Sequence, residues 1–250
     1  MQNTLDSFAP GADYYGGRTA YSGEFFEKLA HALNLNTNST VLDLACGSGE
    51  LSLGLSRFAG TIVGTDKSNA MLKNVSSETQ PNVSFLQHDL NEAPFSTGKK
   101  FDVVTIGRAI PYIDISKLKD TLSLSLKSGG SVIICGAGMG PETAWLGSYQ
   151  QIRRQFTQKK SRLDFRGMRA MKAINFSYVR TINNAIRVNF SFDEIVNHAL
   201  SFPTQTETIL QDIEQFRAAL AQALAPFKSP EGTFAGSEHS WGNIFQSRGS

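Results

Sequence analysis

Between Ser39 and Gly136, short β-rich apolar runs alternate with stretches whose apolar residues recur every three or four positions. Thr40–Leu44 (TVLDL), Thr61–Thr65 (TIVGT), Val83–His88 (VSFLQH), Phe101–Gly107 (FDVVTIG) and Ser131–Gly136 (SVIICG) are expected as strands. Helices are expected over Gly49–Phe58, over Asn69–Val75 with Ser68 as its N-cap, and over Ile115–Leu126. The last carries Ile115, Leu118, Leu122 and Leu126 on one face, and Gly129-Gly130 is expected to end it. Upstream, Phe25, Phe26, Leu29 and Leu33 line one side of a helix over Gly23–Leu35. Downstream, 139–182 reads as helical and strongly basic. Ala185–Phe192 follows as a strand, Phe192–Leu200 and Thr206–Leu224 as helices, and Ser240–Gln246 as the last strand.

Strands that alternate with helices imply a mostly parallel, doubly wound sheet, here of seven strands. The expected organisation is one domain: an N-terminal cap over 1–37, a ligand-binding core over 38–138, a basic lid over 139–184 and C-terminal strands and helices over 185–250. In such sheets ligands bind beyond the carboxyl ends of the strands, where strand order reverses. Gly47, Gly49, Asp66, Asp89, Gly107 and Arg108 stand at those ends.

Composition changes this picture little. Hydrophobic content of 40% and charged content of 18% suit a globular chain with a sizeable core. No apolar stretch has transmembrane length, and the N-terminus carries no secretory pattern, so a cytoplasmic protein without membrane partners is expected. Cys46 and Cys135 lie in apolar runs and read as reduced, buried thiols. None of the four histidines has a carboxylate at metal-ligand or triad spacing, so no metal is expected.

VLDLACGSGE (41–50) decides the ligand class. A dinucleotide loop needs a glycine or alanine at its third small position and a helix N-terminus open to pyrophosphate. Ser52 stands at the third position, and Glu50 would repel a phosphate. A phosphate-free nucleoside avoids that conflict. Asp43, at the end of a buried strand, needs a partner: an ammonium, a bridging water or nearby backbone N–H groups. Asp66 after the second strand can accept from both ribose hydroxyls, and Asp89 after the third from an adenine amine.

VLDLACGSGE, GTDKS (64–68), QHDLNEAPF (87–95) and FDVVTIGRAIPYID (101–114) resemble the successive motifs of class I S-adenosylmethionine-dependent methyltransferases, over about residues 40–136. The resemblance implies a Rossmann-like fold with a helical N-terminal and mid-chain cap. It implies S-adenosylmethionine held by Asp43, Gly47 and Gly49 at the methionine end, Asp66 at the ribose, and Met71, Asp89 and Leu90 at the adenine, with Ala45, Lys67 and Gly107 also in the cofactor site. YYGGRTAY (14–21) is similar to a closing segment of a small-molecule branch related to trans-aconitate-type enzymes. By that likeness Tyr14, Arg18 and Tyr21 belong to the cofactor site. Gly107-Arg108-Ala109 is similar to a G-R-A segment usually followed by Phe-His-Trp; here Ile110-Pro111-Tyr112 follows, which removes a histidine base.

The expected activity is methyl transfer to a small anionic metabolite by in-line displacement. Arg108 and Tyr112 are the candidate catalytic residues, and Tyr112, Glu142, Trp145 and Tyr149 the candidate acceptor contacts. The basic run from Arg153 to Lys172 reads either as a solvated helical face or as a lid that draws in an anion. Two alternatives stand beside it: a different sulfonium chemistry, such as cyclisation of the cofactor's amino acid chain, and a nucleic-acid methyltransferase. The second is disfavoured because basic residues are confined to one segment, so no nucleic-acid partner is expected. The sequence carries no reading of oligomeric state.

Overall fold

In the computed structural model, which describes residues 13–75, 80–157 and 166–247, strands and helices alternate through the first half of the chain. In order they are α1 (Gly23–Ala32), β1 (Thr40–Leu44), α2 (Glu50–Leu55), β2 (Thr61–Asp66), α3 (Asn69–Lys73), β3 (Val83–Gln87), β4 (Phe101–Gly107), α4 (Ile115–Ser125) and β5 (Leu126–Met139). The second half contributes α5 (Leu146–Thr157), α6 (Arg166–Ala173), β6 (Phe176–Phe190), α7 (Phe192–Leu200), α8 (Pro203–Gln211), α9 (Ile213–Leu224) and β7 (Phe234–Ser247). The seven strands form one sheet in the order β3-β2-β1-β4-β5-β7-β6, and the pairs among β1 to β5 are parallel. Strand order reverses between β1 and β4, as the doubly wound reading expects.

By contacts the chain forms two units. The core unit comprises Tyr21–Ala137, Asp164–Asn184 and Ser240–Ser250; the helical unit comprises Met1–Ala20, Gly138–Leu163 and Ala185–His239. The basic run expected as one lid is therefore shared out: Arg153 and Arg154 fall in the helical unit, Arg169 and Lys172 in the core unit. Lys159, Lys160, Arg162 and Asp164 lie outside the described residues.

Period-2 alternation sets the core unit's two apolar layers. On one face Leu42 and Leu44 of β1, Val104 and Ile106 of β4, and Val132 and Ile134 of β5 pack with Leu118 and Leu122 of α4 and Met171 of α6. On the other, Val41, Ile62, Val103 and Ile133 pack with Phe25 and Leu29 of α1 and Leu51 and Leu55 of α2. Each such buried aliphatic side chain contributes about 1.5–3 kcal/mol. The helical unit has its own core, in which Trp145, just before α5, and Tyr149 of α5 meet Ile195 and Ala199 of α7, Ile209 of α8, and Phe216 and Leu220 of α9.

Several boundaries differ from the sequence reading, each for a local reason. Gly129-Gly130 does not cap α4, which ends at Ser125. The glycines lie inside β5, where Gly129 takes φ +74° and the β4–β5 register shifts between Phe101 and Val103. A glycine pair suits a strand irregularity as well as a helix end, and Leu126 is buried as the first residue of β5 instead of the last of a helix. The helix expected over Thr206–Leu224 is two helices, broken at Asp212 (φ −127°, ψ 39°). β6 begins at Phe176, because its exposed polar alternation hides it from an apolar-run criterion.

Candidate functional site

The turn after β1 is built from left-handed residues. Ala45, Gly47 and Gly49 take φ of 53°, 59° and 79°, and a Cβ on Gly49 would meet the Phe85 ring at 2.7 Å. Glycine is required at 49 on both counts. At the end of the neighbouring β4, Arg108 also takes a left-handed φ of 57°. Two non-glycine residues, Ala45 and Arg108, thus hold a conformation costing about 1–3 kcal/mol each at adjacent strand ends.

Asp43 faces the α2 side of the sheet, because it shares the parity of Val41. Its side chain is 1% exposed and accepts hydrogen bonds from the hydroxyls of Ser52 at 2.7 Å and Thr105 at 2.8 Å. Burial pushes Asp43 up to about 6, while these two hydroxyls pull the other way. The partners are side-chain hydroxyls on α2 and β4 together with the Ser52 backbone N–H, the last a backbone group of the kind the sequence suggested. Ser52, which spoils the dinucleotide pattern, has this carboxylate as its reason.

Asp66 ends β2 with both carboxylate oxygens accepting backbone N–H groups, Gly47 at 2.8 Å and Ser68 at 2.8 Å. It clamps the β1 turn to the cap of α3, where the Ser68 hydroxyl accepts from Met71 N–H. Lys67 is exposed, and Met71 and Leu90 are buried. Asp89 makes a turn, accepting from Asn91 N–H at 2.8 Å. Asn91 in turn donates to the Tyr112 carbonyl at 2.8 Å and accepts from Asp114 N–H at 2.7 Å, which ties the β3 end to the loop after β4. The Tyr112 side chain is exposed.

Glu50 has a role that the sequence did not disclose. In the first turn of α2 it accepts from the Tyr21 backbone N–H at 2.6 Å and forms an ion pair with Arg108. The Arg108 guanidinium also lies 4.7 Å from the centroid of the Tyr21 ring. Buried Tyr21 aims its hydroxyl at Gly107, 3.3 Å from where a Cβ would sit there. Burial raises this phenol well above its usual range, with Arg108 pulling it down. Asp43, Gly47, Gly49, Glu50, Asp66, Gly107, Arg108 and Tyr21 are all in the core unit.

Tyr14 and Arg18, expected with Tyr21, belong to the helical unit. So do Glu142, Trp145 and Tyr149. Trp145 is fully buried and its indole N–H donates to the Ala235 carbonyl at 2.9 Å. Exposed Glu142 accepts from the Ser237 hydroxyl at 2.9 Å. Tyr149 is buried with its hydroxyl 2.7 Å from Nδ1 of His198, a residue the sequence reading set aside. Cys46 and Cys135 are free thiols, and burial raises both. Among the described residues no cluster could hold a metal, and no helix is long and apolar enough to cross a membrane.

Residues 41–130, which contain every motif of this turn-and-strand-end geometry, match the methyltransferase domain family. That segment is similar to a methyltransferase domain. Over 108 residues the chain is 35% identical to the demethylmenaquinone methyltransferase of Lactococcus lactis, covering 39% of this chain and 41% of that protein. It is 30% identical over 125 residues to the 2-phytyl-1,4-naphtoquinone methyltransferase of Nostoc punctiforme, covering 46% and 54%. The chain spans about half the length of the curated relatives it matches. A structure assigned as a type II methyltransferase from Anaeromyxobacter dehalogenans aligns with TM-score 0.69 at 17% identity, covering 91% of this chain and 97% of that one. The methyltransferase of Geobacter sulfurreducens in complex with S-adenosylhomocysteine aligns with TM-score 0.57 at 17% identity, covering 99% and 100%. At these identities the likeness is one of fold.

Proposed function

We propose that the protein transfers a methyl group from S-adenosylmethionine to a small anionic metabolite. The observation that carries the reading is the pair of left-handed, non-glycine residues Ala45 and Arg108 at the ends of β1 and β4, where strand order reverses. Strain held at that point supports the reading of a ligand site there.

The residues present fit a sulfonium nucleoside. Glu50 fills the N-terminus of α2, so a pyrophosphate has no place there, whereas a phosphate-free nucleoside does. Asp66, which accepts from Gly47 and Ser68 N–H at the end of β2, is assigned to the ribose hydroxyls. The buried Tyr21 hydroxyl offers a donor to the amino acid end of the cofactor, beside Gly47 and Gly49. Asp89 and the backbone of Leu90 are assigned to the adenine.

Bound S-adenosylmethionine supplies an electrophilic methyl carbon whose bond to sulfur breaks, with the electron pair leaving on sulfur. The chain's own work is alignment and exclusion of water, and orientation alone supplies about 7–11 kcal/mol. We assign Arg108 to positioning: it holds Glu50 and the Tyr21 ring in place. Tyr112 is assigned to the acceptor. An acceptor carboxylate reacts without losing a proton, so the absence of a histidine after Arg108 suits an anion. The quinone-directed relatives show that small-molecule acceptors occur among proteins with this domain.

The test is product analysis after the protein is incubated with S-adenosylmethionine, alone and then with a metabolite extract. S-adenosylhomocysteine formed only with the extract, together with a methylated acid, is the expected result. Methylthioadenosine formed from the cofactor alone would establish the cyclisation chemistry instead.

A further inference from the structure

β3 and β4 follow one another in the chain but stand three places apart in the sheet, with β2 and β1 between them. At ladder spacing that is about 14 Å, so no strand pairing ties the turn after β3 to the loop after β4. The first holds Asp89 and Leu90, and the second carries Tyr112. One side chain of the core unit joins them.

The loop after β4 opens with a single helical turn, Ile110–Tyr112, in which Tyr112 N–H donates to the Ala109 carbonyl at 2.9 Å. Pro111 fixes φ within that turn. The chain then extends through Ile113 (φ −100°, ψ 132°) to Asp114, whose carboxylate caps α4 by accepting from Ser116 N–H at 2.8 Å. The Asn91 carboxamide spans this exit. Its Nδ2 donates to the Tyr112 carbonyl at 2.8 Å, and its Oδ1 accepts from Asp114 N–H at 2.7 Å. A neighbouring parallel strand grips its partner in the same way, at one residue's carbonyl and at the N–H two residues on.

Asn91 is itself seated on the adenine side. Its backbone N–H donates to the Asp89 carboxylate at 2.8 Å, and Glu92 and Ala93 N–H close the turn on the Asp89 carbonyl at 3.1 and 3.2 Å. Leu90, between Asp89 and Asn91, is buried in the same apolar core as Ala109 and Ile110. The Asn91 side chain is exposed, so water competes for both of its bonds. The fastening is strongest while the Asp89 turn keeps its shape, and a ligand that orders this turn orders Asn91 with it. Only a carboxamide can donate to one group and accept from the other; a carboxylate of the same shape accepts at both.

We propose that Asn91 is a positioning residue for methyl transfer: it fastens the loop that carries Tyr112 to the turn assigned to the adenine, so that an occupied cofactor site sets the place of the methyl-acceptor contact. The proposal rests on the methyltransferase reading, in which Asp89 and Leu90 hold the adenine and Tyr112 is assigned to the methyl acceptor.

Amide hydrogen exchange of the full chain, with and without S-adenosylhomocysteine, tests it in the parent, Asn91→Ala and Asn91→Asp, with calorimetry on the same samples. In the parent the ligand is expected to slow exchange in both 89–93 and 109–114. In Asn91→Ala the Asp114 amide is expected to exchange about 10-fold faster, and S-adenosylhomocysteine to bind within about threefold of the parent while slowing 89–93 alone. Asn91→Asp keeps an acceptor for the Asp114 amide, which is expected to stay protected, but loses the donor to Tyr112 and with it the response of 109–114. Exchange in β1 and β4 is expected to be unchanged in both variants. A role in folding alone would speed exchange with and without ligand and leave the ligand response in place. Binding to the parent that leaves 109–114 unslowed, or that slows it equally in Asn91→Ala, would overturn the proposal and leave the cofactor site standing. No binding to the parent would overturn the methyltransferase reading itself, and the proposal with it.

Discussion

In the core unit the buried Asp43 carboxylate is served by Ser52 and Thr105, whose places follow from strand alternation and the first turns of the next helix. In the helical unit the buried His198 ring is served by Tyr149, on a helix 49 residues away in sequence, with Arg153 behind it. Both arrangements satisfy a buried polar group with a hydroxyl. The first follows from the order of strands and helices around one loop; the second depends on how two helices meet in this chain. A fold-defined site can be read from spacing, whereas a packing-defined one emerges only from the assembled structure.

Three substitutions separate the two cases. The largest effect is expected at Glu50. Glu50→Ala removes the partner of Arg108, whose side chain is only 10% exposed, and the acceptor for Tyr21 N–H. Breaking a buried pair costs about 3–5 kcal/mol, and Glu50's own 27% exposure places this loss near the lower end. Urea unfolding of Glu50→Ala and Glu50→Gln would measure it; Gln should recover the Tyr21 bond and part of the loss. Equal stability in all three would show that the Tyr21–Glu50–Arg108 cluster holds nothing together.

Next comes a pH effect at Asp43. Its folded value, about 6, exceeds the ordinary 3.8, so the folded chain binds more protons than the unfolded one between about pH 4 and 6. That stabilisation is complete below pH 4 and is lost as pH rises through 6. The shift of about two units, at about 1.4 kcal/mol per unit, corresponds to roughly 2–3 kcal/mol. Relative to Asp43→Asn, which cannot titrate, the parent chain should gain that much on acidification from pH 7 to pH 4. Parallel stability curves for the two proteins would contradict the burial assigned to this carboxylate.

The smallest effect belongs to the helical unit. Tyr149→Phe removes the phenol that serves His198 and should cost about 1–2 kcal/mol by thermal unfolding, independent of pH 4–6 effects at Asp43. A double variant with Asp43→Asn should be additive, since the two sites share no partner. Coupling beyond about 0.5 kcal/mol would mean that the two buried networks are not separate.

The strand ends of the core were legible because apolar runs stop where the chain must turn: β1 and β4 begin and end at the residues the pattern indicates. Ser68 as a cap was legible for the same local reason. The glycines at 129 and 130 were misread because one residue type serves helix ends and strand irregularities alike. Ala45 and Arg108 carry the left-handed turns without the glycine that would announce them. Glu50 was visible as an acid at a helix start, but its partners Tyr21 and Arg108 are 29 and 58 residues away and no spacing links them. His198 gave no signal, since its partner is a tyrosine instead of a carboxylate.

The central claim is that the turn after β1 and the end of β2 receive S-adenosylmethionine. Calorimetric titration of the full chain with S-adenosylhomocysteine, in the parent and in Asp66→Ala and Asp66→Asn, tests it most directly. Binding to the parent, weakened roughly 10- to 100-fold in Asp66→Ala with an intermediate loss in Asp66→Asn, is the expected result. No heat with the parent, or unchanged affinity in a folded Asp66→Ala, would contradict it.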